Sequence, residues 1–289
     1  MGGLTIIIPV YNEKDSISET INYFKNRLKN SDCIEAIFVD DNSTDGTSSV
    51  LKKLADPRFK IITHKKNRGY GASIKSAIEV SRFEYIAIVD ADGSYPFEKI
   101  FELYQIIIRE KADMVVAARV GEIVEINFFR RIPKYILKKL AEYLTEEEIP
   151  DLNSGLRIVC KKLIKEAMRF LPNSFSFTST LTLYSIMKKK KLIYSPINYY
   201  KRKGKSKINP FMDTLNFFQL ILRTVMFFNP LKVFLPVSIL FFLSSFLVLG
   251  VSFLMGKIMD ITTIILFITG LHLLAIGLLA DLIDKRLNK

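Results

Sequence analysis

The chain has 289 residues, with 42 Lys and Arg against 29 Asp and Glu and a formal net charge of +13. That length allows a domain of about 210 residues plus an appendage, and the positive balance calls for anionic partners. Cys33 and Cys160 stand far apart without metal-ligand spacing, which argues against a disulfide framework and fits free thiols in a reducing compartment. No internal repeat and no nucleic-acid motif appears, so no nucleic-acid partner is expected.

In chain order, apolar β-branched runs at Leu4–Pro9, Glu35–Asp40, Phe59–Thr63, Ile86–Val89 and Asp113–Ala117 predict strands. Between them, Ser16–Leu28, Thr47–Ala55, Gly71–Val80 and Phe97–Arg109 predict helices, and Ser16-Ile-Ser-Glu19 reads as a capping box. Nearly continuous apolar strands alternating with helices predict an α/β fold with a mostly parallel sheet covered on both faces. Ligands of such sheets bind outside the strand C-termini. Tyr11-Asn12-Glu13, Asp40-Asp41-Asn42, Asp90-Ala91-Asp92 and Arg119 all fall there.

The run Ile86-Ala-Ile-Val-Asp-Ala-Asp-Gly-Ser-Tyr-Pro96 is the strongest chemical signal. Strand alternation predicts that Asp90 and Asp92 face one side, where hard oxygen ligands suit Mg²⁺ or Mn²⁺ held jointly with substrate phosphates. Gly69-Tyr-Gly71 invites a dinucleotide-binding reading, but Ile74 stands where the third glycine belongs and the motif follows the third strand. A tight turn ahead of a packed helix is the better account. Arg119, Arg130 and Arg131 are the natural forks for a second phosphate.

Pro9-Val-Tyr-Asn-Glu13, Val39-Asp-Asp-Asn-Ser-Thr-Asp-Gly-Thr47, Asn67-Arg-Gly-Tyr-Gly71, Asp90-Ala-Asp92, Asp151-Leu-Asn-Ser-Gly155 and Arg202-Lys-Gly-Lys-Ser-Lys207 occur in that order. Together they resemble the inverting GT-A-fold glycosyltransferases, and among them the polyprenyl-phosphate glycosyltransferases such as dolichyl-phosphate mannose synthases and GtrB-like bactoprenol glucosyltransferases. The resemblance implies a Rossmann-like GT-A catalytic domain and a UDP- or GDP-hexose donor. Pro9, Tyr11, Glu13, Val39, Asp41, Asp90 and Ala91 would bind the nucleotide sugar, and Asp90, Asp92 and Ser94 the metal, with Ser94 at a place where many relatives carry Gln. Arg119, Arg130 and Arg131 would hold a polyprenyl or dolichyl phosphate, and Arg202, Ser206 and Lys207 would close over the donor diphosphate. Asp151 is the family's general-base position. A phosphate acceptor with a second pKa near 6 is already mostly dianionic at neutral pH, so both a base and a positioning role stay open.

Lys188–Lys207 holds nine basic residues and no acidic one, and its four-lysine start suits anionic lipid headgroups. Beyond Pro210, apolar residues at spacings of four and three (Phe211, Leu215, Phe218, Leu222, Val225) predict an amphipathic juxtamembrane helix over 210–230, interfacial or core-packed. Within the remainder, 231–289, Val233–Met255 and Ile261–Ala280 carry no charge and are long enough to form a transmembrane hairpin. His272 in the second span reads as a neutral packed imidazole ahead of the alternative, a functional site within the membrane. Basic flanks outside the hairpin against a lone Lys257 in its turn put both ends, and the domain over 1–209, on the cytoplasmic side of a cell membrane. Leu4–Val10 is too short for a signal peptide.

The expected reaction is hexose transfer with inversion to the lipid phosphate at the cytoplasmic face; a homo-oligomer is compatible with the sequence. Two rivals share the early motifs. A processive polysaccharide synthase usually carries Gln-x-x-Arg-Trp, and this chain has no Trp. A membrane-tethered nucleotide-sugar sensor needs neither the acceptor arginines nor the basic loop.

Overall fold

The computed structural model describes residues 2–29, 32–54, 56, 58–120, 139–143, 145–198, 218, 219, 222, 226, 229–256 and 261–287. It divides into two compact units, Met1–Lys138 with Glu147–Thr214, and Lys139–Glu146 with Leu215–Lys289.

The first unit is built on one sheet. Strands β1 (Leu4–Val10), β2 (Ile34–Asp40), β3 (Phe59–Thr63), β4 (Tyr85–Ile88), β5 (Met114–Val120), β6 (Arg157–Cys160) and β7 (Leu192–Asn198) lie in the order β3-β2-β1-β4-β6-β5-β7. Pairings are parallel except that β6 runs antiparallel to both β4 and β5. Helices α1 (Lys14–Arg27), α2 (Thr47–Lys52), α3 (Tyr70–Val80), α4 (Lys99–Glu110), α5 (Lys161–Ala167) and α6 (Phe177–Met187) complete the unit. Every residue of β1 is buried, as the unbroken apolar run requires of a strand covered on both faces. Leu4, Ile6 and Ile8 meet Ile17 and Phe24 of α1 and Leu103 and Ile107 of α4 in one core.

The expected strands and helices all appear, with their ends moved by a few residues. Helix α1 starts at Lys14, so Ser16 sits in its first turn and its hydroxyl donates back to the Glu13 carbonyl at 3.3 Å; the capping box does not form. Strand β4 stops at Ile88, so Asp90 and Asp92 lie in the turn beyond it and strand alternation does not orient them. The basic stretch begins just past α6 and contains β7; between the two, Lys190 pairs with Glu166 at 2.8 Å and Lys191 Nζ donates to the Glu110 carbonyl at 2.5 Å.

One topological feature positions the site. Because β6 is antiparallel to β4, with Ile88 opposite Arg157, the segment entering β6 lands beside the C-terminal end of β4. The same strand faces β5, with Val116 opposite Arg157. Residues 151–156 therefore reach both the Asp90 turn and Arg119.

In the second unit, α7 (Leu231–Leu254) and α8 (Ile261–Leu287) are long and apolar enough to cross a membrane, and most of their surface is exposed within the molecule. Their seam is lined by small residues. Ser238 Oγ donates to the Gly270 carbonyl at 2.8 Å and Ser245 Oγ to the Thr263 carbonyl at 2.9 Å. A Cβ at Gly277 would stand 2.7 Å from Phe234 Cβ, so glycine permits this closeness. His272 is exposed on α8 rather than packed as expected. Of the juxtamembrane segment, Phe218, Gln219, Leu222 and Met226 are described and helical, with Phe218 and Met226 exposed.

Candidate active site

The ends of β1 and β2 are stitched together by side chains. Asn12, at φ 56°, takes the Thr44 N–H on Oδ1 at 2.7 Å while its own N–H donates to Ser43 Oγ at 2.9 Å. Glu13 N–H donates to Thr47 Oγ1 at 3.0 Å, and Asp40 Oδ1 accepts from Ser43 N–H at 3.0 Å. Tyr11 is exposed beside this junction. Pro9 and Val39 are register partners inside the sheet and buried, as is Ala91, so these three expected donor contacts present no side chain at the surface.

Asp41, just beyond β2 as expected, is engaged by the protein itself. Its buried carboxylate accepts from Arg68 N–H at 2.8 Å, Gly69 N–H at 2.7 Å and His64 Nδ1 at 2.6 Å. His64 Nε2 in turn meets Ser76 Oγ on α3 at 3.0 Å. Asp41 thus ties β2 to the turn before α3, with three protein donors on the carboxylate that the resemblance assigns to a base and ribose.

Gly69 and Gly71 are explained by contact. A Cβ on Gly69 would stand 2.5 Å from the Asn173 carbonyl oxygen, and one on Gly71 2.2 Å from that of Pro172. The 171–176 loop presses on this turn and is fastened there: Ala72 N–H donates to Asn173 O at 3.1 Å, and Lys75 Nζ to Leu171 O at 2.6 Å and Asn173 Oδ1 at 2.9 Å.

Beyond β4, half-buried Asp90 accepts the Tyr70 hydroxyl on Oδ1 at 3.0 Å. Burial, then the charge of Asp90, pushes the Tyr70 hydroxyl pKa well up, so it stays a donor. Gly155 abuts the same carboxylate; its added Cβ would lie 2.1 Å from Asp90 Oδ2. Its N–H donates to the buried Tyr95 hydroxyl at 2.6 Å. Asp92 is buried and accepts Ser94 N–H at 3.0 Å and Ser94 Oγ at 2.5 Å on Oδ1. Ser94, expected as a metal ligand, is fully buried with its hydroxyl donating to Asp92; it orients that carboxylate. Among the described residues no three His, Cys, Asp or Glu cluster around one point. Two carboxylates fit Mg²⁺ or Mn²⁺ in the mode that borrows its remaining ligands from substrate phosphates and water.

Arg119, at the end of β5, grips Asp151 with Nε to Oδ2 at 2.6 Å and Nη2 to Oδ1 at 2.8 Å. The backbone N–H groups of Arg119 and Asn153 add bonds of 3.2 and 3.1 Å. Burial raises the Asp151 pKa, but these bonds and the Arg119 charge outweigh it and leave the carboxyl below its usual range. Asn153 is linked to Ser179 at the start of α6. Arg130, Arg131, Arg202, Ser206 and Lys207 lie outside the described residues.

Residues 5–168 match the glycosyl transferase family 2 description, more than half of the chain. The chain belongs to glycosyl transferase family 2. Residues 229–285 match the GtrB C-terminal hairpin. A hexosyltransferase of low-salt glycan biosynthesis, Agl6 of Haloferax volcanii, is 27% identical over 214 residues, 73% of this chain and 51% of that protein. A mouse dolichyl-phosphate beta-glucosyltransferase is 35% identical over 111 residues, 35% of this chain and 34% of that one. The chain spans about half or less of the length of these relatives. Glucosyl-3-phosphoglycerate synthase from Mycobacterium tuberculosis, solved with Mn²⁺, uridine diphosphate and phosphoglyceric acid, superposes with TM-score 0.59 at 14% identity over 78% of each chain. The likeness establishes the GT-A fold.

The family 2 domain also contains a residue that sequence reasoning left without a role. Arg157 is fully buried, with Nε and Nη2 donating to Ser154 O at 3.2 and 2.5 Å and Nη1 to Thr178 O and Thr182 Oγ1 at 2.7 and 2.8 Å. Burial lowers its pKa. Its place two residues beyond the Asp151–Gly155 motif was the available signal. Nearby, the Tyr194 hydroxyl is buried without a hydrogen-bond partner among the described residues, and burial pushes its pKa up to about 12.

Proposed function

We propose that the protein transfers a hexose from a UDP- or GDP-linked donor to a polyprenyl or dolichyl phosphate, with inversion, at the cytoplasmic membrane face. The observation that carries this reading is a family 2 domain followed in the same chain by a GtrB C-terminal hairpin. The name of the mouse relative agrees with sugar transfer to a lipid carrier and that of the Haloferax relative with hexosyl transfer, and the Mn²⁺ and uridine diphosphate of the mycobacterial neighbour agree with a metal-assisted nucleotide donor.

A phosphate oxygen of the acceptor attacks the anomeric carbon from the face opposite the diphosphate. The new carbon–oxygen bond forms as the old one breaks, and the electron pair leaves with the nucleoside diphosphate. Asp90 and Asp92 would hold a divalent cation that offsets the leaving charge. Arg119, fixed by Asp151, aligns the acceptor phosphate, with Arg130 and Arg131 as further candidates. Asp151 acts as a positioning group, because its carboxylate is engaged by Arg119 and the acceptor needs no base. Arg202, Ser206 and Lys207 are assigned to the departing diphosphate.

Membranes carrying the protein are incubated with labelled UDP- and GDP-hexoses and polyprenyl phosphate. A mild-acid-labile glycolipid that requires added Mg²⁺ or Mn²⁺ is the expected product. Polymer would show a synthase instead, and binding without turnover a sensor.

A further inference from the structure

Phe175 is a large ring left 66% exposed in the 171–176 loop. A lone exposed apolar side chain is ordinary. This one is held in a fixed pose that continues into the candidate site. Its ring stacks on Tyr70 with centroids 5.0 Å apart and planes 26° from parallel, and the Tyr70 hydroxyl donates to Asp90. The loop beneath it is fastened to the Gly69–Gly71 turn by the contacts and hydrogen bonds given above, so loop motion does not account for the exposure.

We propose that Phe175, backed by Tyr70, is a stacking subsite for the sugar ring of the donor. The neighbourhood favours this occupant. Among the described residues, Asn173 and Ser174 beside the ring are exposed and polar, a border that suits sugar hydroxyls better than a polyprenyl chain. A pyranose presents axial C–H groups across its ring faces and hydroxyls around its rim, which matches a single aromatic face within a polar border whose backing ring reaches Asp90. Backing by Tyr70 fixes the ring before the sugar arrives, which saves ordering entropy on binding.

This inference rests on the proposed nucleotide-sugar chemistry, and its test is arranged to fail separately. Calorimetry on the full chain compares UDP-glucose with UDP and GDP-mannose with GDP, for wild type, Phe175→Ala and Phe175→Tyr. The expected result is that Phe175→Ala weakens the sugar nucleotide roughly 5- to 12-fold while the free nucleoside diphosphate changes by less than about twofold. Phe175→Tyr stays within about threefold of wild type because the stacking face survives. Equal weakening of both ligands overturns the subsite in favour of a nucleotide contact, and no change for either overturns it outright. So does a raised polyprenyl-phosphate KM with donor binding unchanged. Sugar-dependent weakening in a protein that binds but transfers nothing keeps the subsite and refutes the transfer; absence of binding by all four ligands refutes both.

Discussion

Asp151→Asn separates a catalytic base from a group that steadies an arginine. The native carboxylate accepts four hydrogen bonds, three of them from Arg119, with its side chain 9% exposed and that of Arg119 33%. Asparagine keeps the shape but loses the charge and turns an amide N–H₂ toward one guanidinium donor. Bonds to charged groups are worth about 1.5–3 kcal/mol, and the exposed third of Arg119 discounts this, so a loss of about 1–2 kcal/mol is expected. For a domain of this size that lowers Tm by roughly 2–8 °C. Because the folded carboxyl pKa lies below its unfolded value, the pair stabilises the protein above the ordinary carboxylate range and is lost as pH falls below about 4. The variant should flatten that acid limb in thermal scans across pH. In steady-state transfer assays the acceptor KM should rise roughly tenfold with kcat within about an order of magnitude, whereas loss of a general base costs about 10²–10⁴ in rate. A fall in kcat beyond about a hundredfold, with acceptor KM and Tm unchanged, would refute the positioning role.

Asp92→Ala is expected to abolish transfer while the protein stays folded and membrane-bound; full activity of that variant in chelator-treated buffer removes the metal assignment. Gly155→Ala places a methyl 2.1 Å from Asp90 Oδ2, which must rotate off its Tyr70 bond, and kcat/KM should drop about a hundredfold with little change in melting. Wild-type activity there would mean that the Asp90 pose is irrelevant to the chemistry. Gly277→Leu forces Phe234 away from the hairpin seam, and detergent-solubilised protein should lose about 1–3 kcal/mol in a thermal assay while soluble-side activity at low temperature persists. An unchanged melting curve would show that the seam yields freely.

The first four strands were legible because each is an apolar run closed by polar turn residues, and the same runs placed Asp90 and Asp92 at one sheet edge. Strand β6 was not legible: four residues opening on an arginine carry no period, and only its two neighbours make Arg157–Cys160 a strand. Arg157 itself reads as a surface cation until the Thr178 and Thr182 oxygens, over twenty residues away, supply its partners. Asp41 shows the opposite limit. Its position at the end of β2 could be read, but the donors that hold it come from His64 and a turn 23, 27 and 28 residues further on. Ser94 lay two residues from Asp92 in every view, yet whether its oxygen faces a cation or its proton faces the carboxylate is settled by the turn geometry alone.

The two serine-to-carbonyl bonds between α7 and α8 bear on how the anchor meets its surroundings. Each hydroxyl is matched to one particular carbonyl of the opposite helix, so slipping by a single turn would strand both donors where no water is at hand. The pair is therefore indexed like a rack to its pinion. A thicker or thinner bilayer should be met by both rods leaning together rather than by one gliding past the other.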